Sequence, residues 1–444
     1  MRDALLGLLI GGSLPVCLWR PDIGILIYAW IGLMNPHRFS WRLENAPVGA
    51  AVALATLVGI VIKGELRSIP MRLTTALLVL WVAYTTATTL GSGTPEAWIE
   101  WNRFFRILIM SFAAMMLLQT RVRLERFVWI CMASVAFFGV KGGLFSILTR
   151  GQYRVWGPPG SFIEGNNELA LAELMVLPLM LYFLRQVTKS WHKLAYYGAF
   201  LLNLVSVLFS YSRGAFVAFA GLCVVLMARS RYRFQALIMA VFLGSAALAL
   251  SPVEWRERMF SIKEYKADES ALGRINAWAF AVNLAKDHPF GSGFRTFTKD
   301  LFQVYAPNPT DVHDAHSIYF EVLAEQGFPG LAIFLGILLG TLWRLERMRH
   351  RFAKDVERRW IRDLAEMLQY SVVAYMFGGT FLGLAYFDLI YYLVISALVL
   401  DQVARREVEA AWLRARAAAS AEALERPGPA LAPVPVSAAL GSGG

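Results

Sequence analysis

Residues 312–343 read VHDAHSIYFEVLAEQGFPGLAIFLGILLGTLW, and the change of character inside that stretch decides the fold. Its first part carries His313, Asp314, His316, Glu321 and Glu325. From Leu331 to Trp343 there is no charge at all, as inside a membrane helix. A cluster of polar groups at the mouth of an apolar run admits two readings, a helix cap or a catalytic base. The rest of the chain has to choose between them.

The apolar half is not alone. The 444 residues are 57% hydrophobic with mean hydropathy +0.49 and only 17% charged. A soluble chain carries nearer a quarter. The excess falls into runs of membrane-spanning length, which must be helices, because helices satisfy their own backbone hydrogen bonds in lipid. An outer-membrane barrel would alternate over short segments instead. The expected class is therefore an all-α polytopic membrane protein with about 12–13 transmembrane helices, each needing roughly 20 residues if untilted. The predicted spans are 4–19, 22–34, 48–62, 73–90, 103–118, 124–140, 167–185, 194–210, 214–228, 234–250, 317–343, 367–385 and 387–401. The first two are short and interrupted by Arg20-Pro21-Asp22. The N-terminal LLGLLIGGSLPVCLW shows no cleavage site and is expected to be a retained membrane segment.

The net charge of +11 raises nucleic acid as a partner. The basic residues fall between apolar runs, where cytoplasmic loops need them, so no nucleic acid is expected. Cys17, Cys131 and Cys223 lie far apart in apolar stretches, which gives neither a disulfide framework nor a metal spacing. The loops 63–72, 120–126, 229–233 and 344–362 are rich in Lys and Arg. Alternation puts all four on one side, read as the cytoplasm. The other side then receives 35–47, 91–102, 141–166, the turn at 210–214 and a long segment, about 251–316. The organisation expected is a transmembrane domain, 1–401, and a cytoplasmic tail, 402–444. The tail begins as a basic helix and ends in a Pro-, Ala- and Gly-rich stretch expected to be largely disordered.

The polar motifs collect on the non-cytoplasmic side. In SYSRGAF (210–216), Arg213 has almost no loop around it and sits at or just inside the membrane surface. It is either a snorkelling interfacial arginine or an anion clamp, since a guanidinium offers a planar fork for phosphate. In LGRINAWAFAVNLAKDHPFGSGF (272–294), Arg274 opens a helix with a stripe through Ile275, Trp278, Val282 and Ala285, lying on the membrane face. Arg274 is a solvated arginine or, with free backbone N–H groups, an attractor of phosphate. In 307–330, Asp311 or Asp314 can cap a helix that holds His313 and His316 on one face. A metal pair lacks a third firm ligand. At a helix N-terminus the dipole favours the neutral imidazole, which takes a proton near pH 7. Glu321 and Glu325 follow, paired with neighbours. In 153–173, Asn166 or Asn167 caps a helix, and Glu168 and Glu173 enter an apolar run where arginines are natural partners. Trp156 there either contacts sugar or merely packs.

Three of these motifs, SRGA (212–215), GRINAW (273–278) with HPFGSGF (288–294), and HSIYFEVLAEQGFPG (316–330), resemble in that order the O-antigen ligase and polymerase superfamily of membrane glycosyltransferases. MNPHRFSW (34–41), YRVWGPPGSFIEGNNELALA (153–172), PNPTDVHDAHSIYFEVLAEQG (307–327) and FLGLAYFDL (381–389) resemble the exosortase-A-associated O-glycosylation ligase subgroup. The likeness covers about residues 1–400. It implies a type-C glycosyltransferase fold in the bacterial inner membrane with the active site facing the periplasm. The implied donor is a glycan on undecaprenyl pyrophosphate. The acceptor is a hydroxyl on lipid A core, a protein or a polysaccharide. The reaction needs no metal or cofactor and inverts the anomeric carbon. Position by position, Arg213 and Arg274 match the family's pyrophosphate-binding arginines and His316 its essential histidine. His313 belongs only to the subgroup pattern and stands with Asn166, Glu168 and Glu325 as supporting residues. Two other functions compete: a polysaccharide (O-antigen) polymerase, and a lipid-glycan or solute transporter, which predicts internal repeats and broken helices at midplane.

Overall fold

The computed structural model describes residues 2–41, 43–44, 46–67, 69–229, 252–253, 255 and 269–425. Among these the chain is all α-helix, with fourteen helices and no strand. In order they are α1 Arg2–Trp19, α2 Pro21–Met34, α3 Val48–Ile62, α4 Leu73–Ser92, α5 Pro95–Leu117, α6 Arg121–Leu148 and α7 Asn166–Gln186. Then follow α8 Ser190–Leu208, α9 Arg213–Arg229, α10 Glu269–Asp287, α11 Lys299–Tyr305, α12 Ile318–Arg351, α13 Arg359–Gly378 and α14 Asp388–Glu425. Two compact units divide the chain, Met1–Asp401 and Gln402–Gly444. Residues 402–425 continue α14, and 426–444, expected to be disordered, lie outside the described residues.

Four helices, α4, α6, α7 and α12, are long and apolar enough to cross a membrane. α1 from Asp3, α2 and α3 are apolar but shorter. The expected polytopic helical membrane fold is the one observed. Each predicted span coincides with a helix except 234–250, which lies outside the described residues with most of the 251–268 segment. Ends differ where helices carry polar residues past the apolar run. α5 starts at Pro95, not 103, taking in Glu96, Glu100 and Asn102. Large apolar side chains point outward along the helices, Leu8 at 75% and Leu54 at 65% exposure. Water would penalise such a surface, whereas lipid tails cover it without cost.

The two ends of the first unit differ in chemistry. At one end Arg72 and Arg344 converge on Asp401 (3.6 and 2.8 Å), Arg229 meets Glu346 (3.3 Å), and Arg123 meets Asp22 (3.4 Å). These pairs join basic loops that sequence alternation assigns to one side. The other end is floored by aromatic rings. Phe104 packs edge-on against Tyr386 and Tyr391 (5.0 and 5.1 Å between centroids), and Phe294 lies 4.8 Å from Tyr386. Above this floor, α10 and α11 pack on α12 through Ala277, Phe280, Ala281, Leu284, Phe302 and Ala324. Phe280 stacks on Phe302 at 4.2 Å. Full burial of a side chain such as Phe280 contributes about 1.5–3 kcal/mol, which anchors the α10–α11 hairpin that carries the conspicuous polar motifs.

Candidate active site

The candidate site is built on the loop 306–317 between α11 and α12. This loop has no regular hydrogen-bond ladder, so α10 supplies its partners. Asn276, buried, donates to the backbone oxygens of Asn308 and Asp311 (both 2.9 Å) and accepts from the Asn308 N–H (2.8 Å). Trp278 donates its indole N–H to the Ala315 oxygen (2.8 Å) and stacks on Phe320 at 4.9 Å, 11° between planes. His316 follows Ala315 directly. On its other side the Ile318 N–H donates to the Gly379 oxygen (2.8 Å). His316 is thus clamped between two elements, and it needs to be, because its φ is +42°. That left-handed backbone is unfavourable for a residue with a Cβ and persists only when its surroundings over-determine it.

Clamped there, His316 is partly buried and within electrostatic reach of Arg274, Asp314 and His313. Burial first, and then the positive Arg274, holds the imidazole below its ordinary value; Asp314 pulls the other way. The neutral form is therefore favoured. Glu168, near the start of α7, feels the charges of the same Arg274 and Asp314. Beside it Asn166 donates to the Ser210 oxygen (2.7 Å), tying α7 to the turn that precedes Arg213. Within that turn the Ser212 hydroxyl accepts from the Ala215 N–H (3.1 Å), so Arg213 opens α9. The segment 379–387 connects the two halves. A Cβ on Gly214 would stand 3.1 Å from Phe381, and one on Gly383 would stand 3.8 Å from the His316 Cα and 3.4 Å from Glu321 Oε2. Glu321 in turn accepts from the Ala385 N–H (3.3 Å). Arg274 and Asp314 lie within electrostatic reach of both His316 and Glu168. Arg213 enters through its neighbours on the 379–387 segment and through Asn166.

His313 and Glu325 have different company. His313 is half-exposed, pairs with Asp311 (2.7 Å) and lies over Gly273, where a Cβ would come within 2.6 Å of its ring. Glu325 joins two motifs. Its backbone oxygen accepts from Ser292 and Gly293 (3.0 and 2.9 Å), and its carboxylate accepts from the Arg295 N–H (2.8 Å). The helix breaks at Gly327 (φ 66°, ψ −170°), and the Phe328 N–H donates to the Pro289 oxygen (3.0 Å). A Cβ at 327 would meet that same oxygen at 2.2 Å. The HPFGSGF turn and the EQGFPG break are therefore the two halves of one joint.

Several local expectations need correction. His313 and His316 do not share a helical face, because both precede Ile318 and lie in loop backbone. Asp314 is exposed and caps nothing; Ser317 holds the N-cap position of α12 without a side-chain cap bond. Gly165, not Asn166, is the N-cap of α7, since Asn166 spends its amide on Ser210. Arg274 sits a full turn inside α10, which begins at Glu269. The neutral bias at His316 comes from burial and Arg274 rather than from a helix dipole. The buried face of α10 runs through Ala277, Phe280, Ala281 and Leu284, whereas Ile275 is 48% exposed. Asn276, Trp278 and Asp311 were missed as positioning residues. The first two stand inside GRINAW, yet an apolar-stripe reading gives polar and aromatic side chains no directed partner.

Among the described residues no group of three or more His, Cys, Asp or Glu is placed to hold a metal ion. Residues 198–335 match the model of the family described as O-Antigen ligase, and residues 1–188 match a family of unknown function. No curated protein matches the chain. The first match contains Arg213, Arg274, His313, His316 and Glu325, and the second contains Asn166 and Glu168. The match over residues 198–335 supports a place for this part of the chain in the O-antigen ligase superfamily, and with it a membrane glycosyltransferase-like ligase or polymerase function.

Proposed function

We propose that the protein transfers a glycan from undecaprenyl pyrophosphate to an acceptor hydroxyl at the periplasmic face of the bacterial inner membrane. The observation that carries this reading is the partly buried, neutral-biased His316 within electrostatic reach of Arg274. In the proposed step the imidazole takes the proton of the acceptor hydroxyl. The hydroxyl oxygen attacks the anomeric carbon, and the bond from that carbon to the pyrophosphate oxygen breaks. The electron pair leaves with the lipid pyrophosphate, and attack opposite the leaving group inverts the sugar. Arg213 and Arg274 bind the pyrophosphate and match its growing charge. Glu168, within reach of Arg274, holds that arginine's charge in place between turnovers.

The acceptor class proposed follows the O-glycosylation subgroup likeness: a protein or polysaccharide hydroxyl, with lipid A core as the lipopolysaccharide-type option. Incubating the purified chain with a lipid-pyrophosphate glycan and separate acceptors tests it. Transfer to lipid A core or protein is the expected ligase outcome. Growth of the lipid-linked chain alone makes the protein a polymerase, and vectorial uptake without transfer makes it a transporter. Arg213→Lys fails to restore transfer, because a point charge does not reproduce the guanidinium fork. EDTA leaves the rate unchanged; a clear loss would give the histidines a metal.

A further inference from the structure

The part of the chain outside the O-antigen ligase match holds a second pair of arginines that the proposed reaction does not use. Arg38 lies in the short 3-10 turn Pro36–Phe39, and Arg103 lies in α5 near its start. The Arg103 guanidinium sits over the Phe162 ring, 3.6 Å from its centroid. Arg38 lies flat against Gly160, where a Cβ would come within 2.7 Å of Nη1 and 2.8 Å of Cζ. Gly160 has φ +67°, so this backbone both turns and leaves room for the guanidinium. The Arg38 Nε is buried with no hydrogen-bond partner among the described residues. Arg103 feels Arg38 and Arg295 as like charges.

The nearby carboxylates are mostly committed elsewhere. Glu100 is taken by the Arg295 side chain, and Glu164 accepts from the Gly160 N–H (2.8 Å). Asp388, buried at the start of α14, lies within electrostatic reach of Arg103. No carboxylate stands within ion-pair distance of Arg38 or Arg103 among the described residues. Lys141, 5.9 Å over Phe39, adds positive charge to the same neighbourhood. One guanidinium lies on an aromatic face and the other against a glycine two residues away in sequence, and their like charges oppose each other, though less than Asp388 and Glu100 favour the Arg103 charge; a bound anion would relieve that repulsion. A ring contact links the Phe162 neighbourhood to the segment that borders the candidate site. The Phe162 ring lies 6.0 Å from Phe387, on the segment whose Gly383 borders His316.

We propose that Arg38 and Arg103, shaped by Phe162 and Gly160, form a second anion site, for a carboxylate or phosphate carried by the glycan donor or its acceptor. All four residues lie in 1–188, the segment matching the family of unknown function, and the proposal gives that segment a binding role. It rests on the glycan-transfer reading only for the source of the anion.

The test measures binding of inorganic phosphate and, separately, free glucuronate to the full chain in phosphatidylcholine nanodiscs. Wild type is compared with R38Q/R103Q, R38K/R103K and R213Q/R274Q. The expected result is at least a tenfold weakening of one of these anions in R38Q/R103Q, with that binding kept in R213Q/R274Q. The anion that responds names the group, phosphate or carboxylate. The lysine pair keeps the charge, and a partial recovery there shows that the site, not the fold, was lost. Wild-type affinity for both anions in R38Q/R103Q overturns the proposal. If R213Q/R274Q binds a lipid-pyrophosphate glycan with wild-type affinity, the donor-binding reading fails while this site stands. In transfer assays R38Q/R103Q raises KM for an anionic glycan at least tenfold with kcat within twofold. An equal loss with a neutral glycan overturns it.

Discussion

At the scale of single residues, position 316 concentrates the chemistry. A non-glycine φ of +42° is held by Trp278 on one side and Gly379 on the other. Strain of this kind fixes where a side chain points, at a typical cost of about 1–3 kcal/mol. The imidazole is held below its ordinary value by burial and Arg274, so a base at this position stays neutral into mildly acidic solution. The acid limb of kcat/KM is accordingly expected below the ordinary histidine value of about 6.5. Asp314 opposes that shift. Asp314→Asn removes a negative charge that favours the protonated imidazole, so the acid limb moves to lower pH. A pH–rate profile checks the sign, and a move to higher pH would refute the electrostatic account. That His316 and His313 part company was legible as a difference in motif membership. The reason was not: Asp311, two residues from His313, and Gly273, on α10, are the partners that occupy it.

At the scale of elements, the working parts are joints between motifs distant in sequence. Asn276 makes three hydrogen bonds to the 308–311 backbone. Asn276→Ala removes three partly buried hydrogen bonds and is expected to cost about 1 kcal/mol or somewhat more. Thermal unfolding in detergent should show a lower midpoint, and kcat/KM should fall because His316 loses its frame. Asn276→Asp keeps the one acceptor but sets a carboxylate oxygen against the Asn308 and Asp311 carbonyl oxygens, so it should do at least as much harm. Gly327→Ala meets both a positive φ and the Pro289 oxygen, so it should separate the 288–294 turn from α12 and destabilise the fold by more than about 1 kcal/mol. An unchanged unfolding midpoint would contradict the joint. The sequence made the helices readable, since apolar runs of the right length leave lipid-exposed backbone no other choice. It hid the joints. HPFGSGF and EQGFPG each read as a local turn or a loosened helix, and only their contact shows that one completes the other. The same blindness put a cap on Asp314 and a stripe on Ile275, because periodicity sees spacing and not partners.

At the scale of the whole molecule, one end of the first unit is knit by Arg–carboxylate pairs and the other gathers the candidate site over an aromatic floor. This polarity agrees with the basic-loop pattern that assigns the first end to the cytoplasm. Single cysteines at 313 and at 347, in a background without Cys17, Cys131 and Cys223, should react oppositely with a membrane-impermeant thiol reagent. Position 313 is expected to label from outside intact spheroplasts and 347 only after lysis; the reverse would invert the account. The central claim is that His316 acts as the base in a transfer whose pyrophosphate is held by Arg213 and Arg274. The most direct measurement is single-turnover transfer from a lipid-pyrophosphate glycan by purified His316→Ala, alongside equilibrium binding of the donor. The account predicts that transfer falls by at least about 10²–10⁴-fold, the range of a general base, while donor affinity stays within a few fold. Near-wild-type transfer by His316→Ala would contradict it.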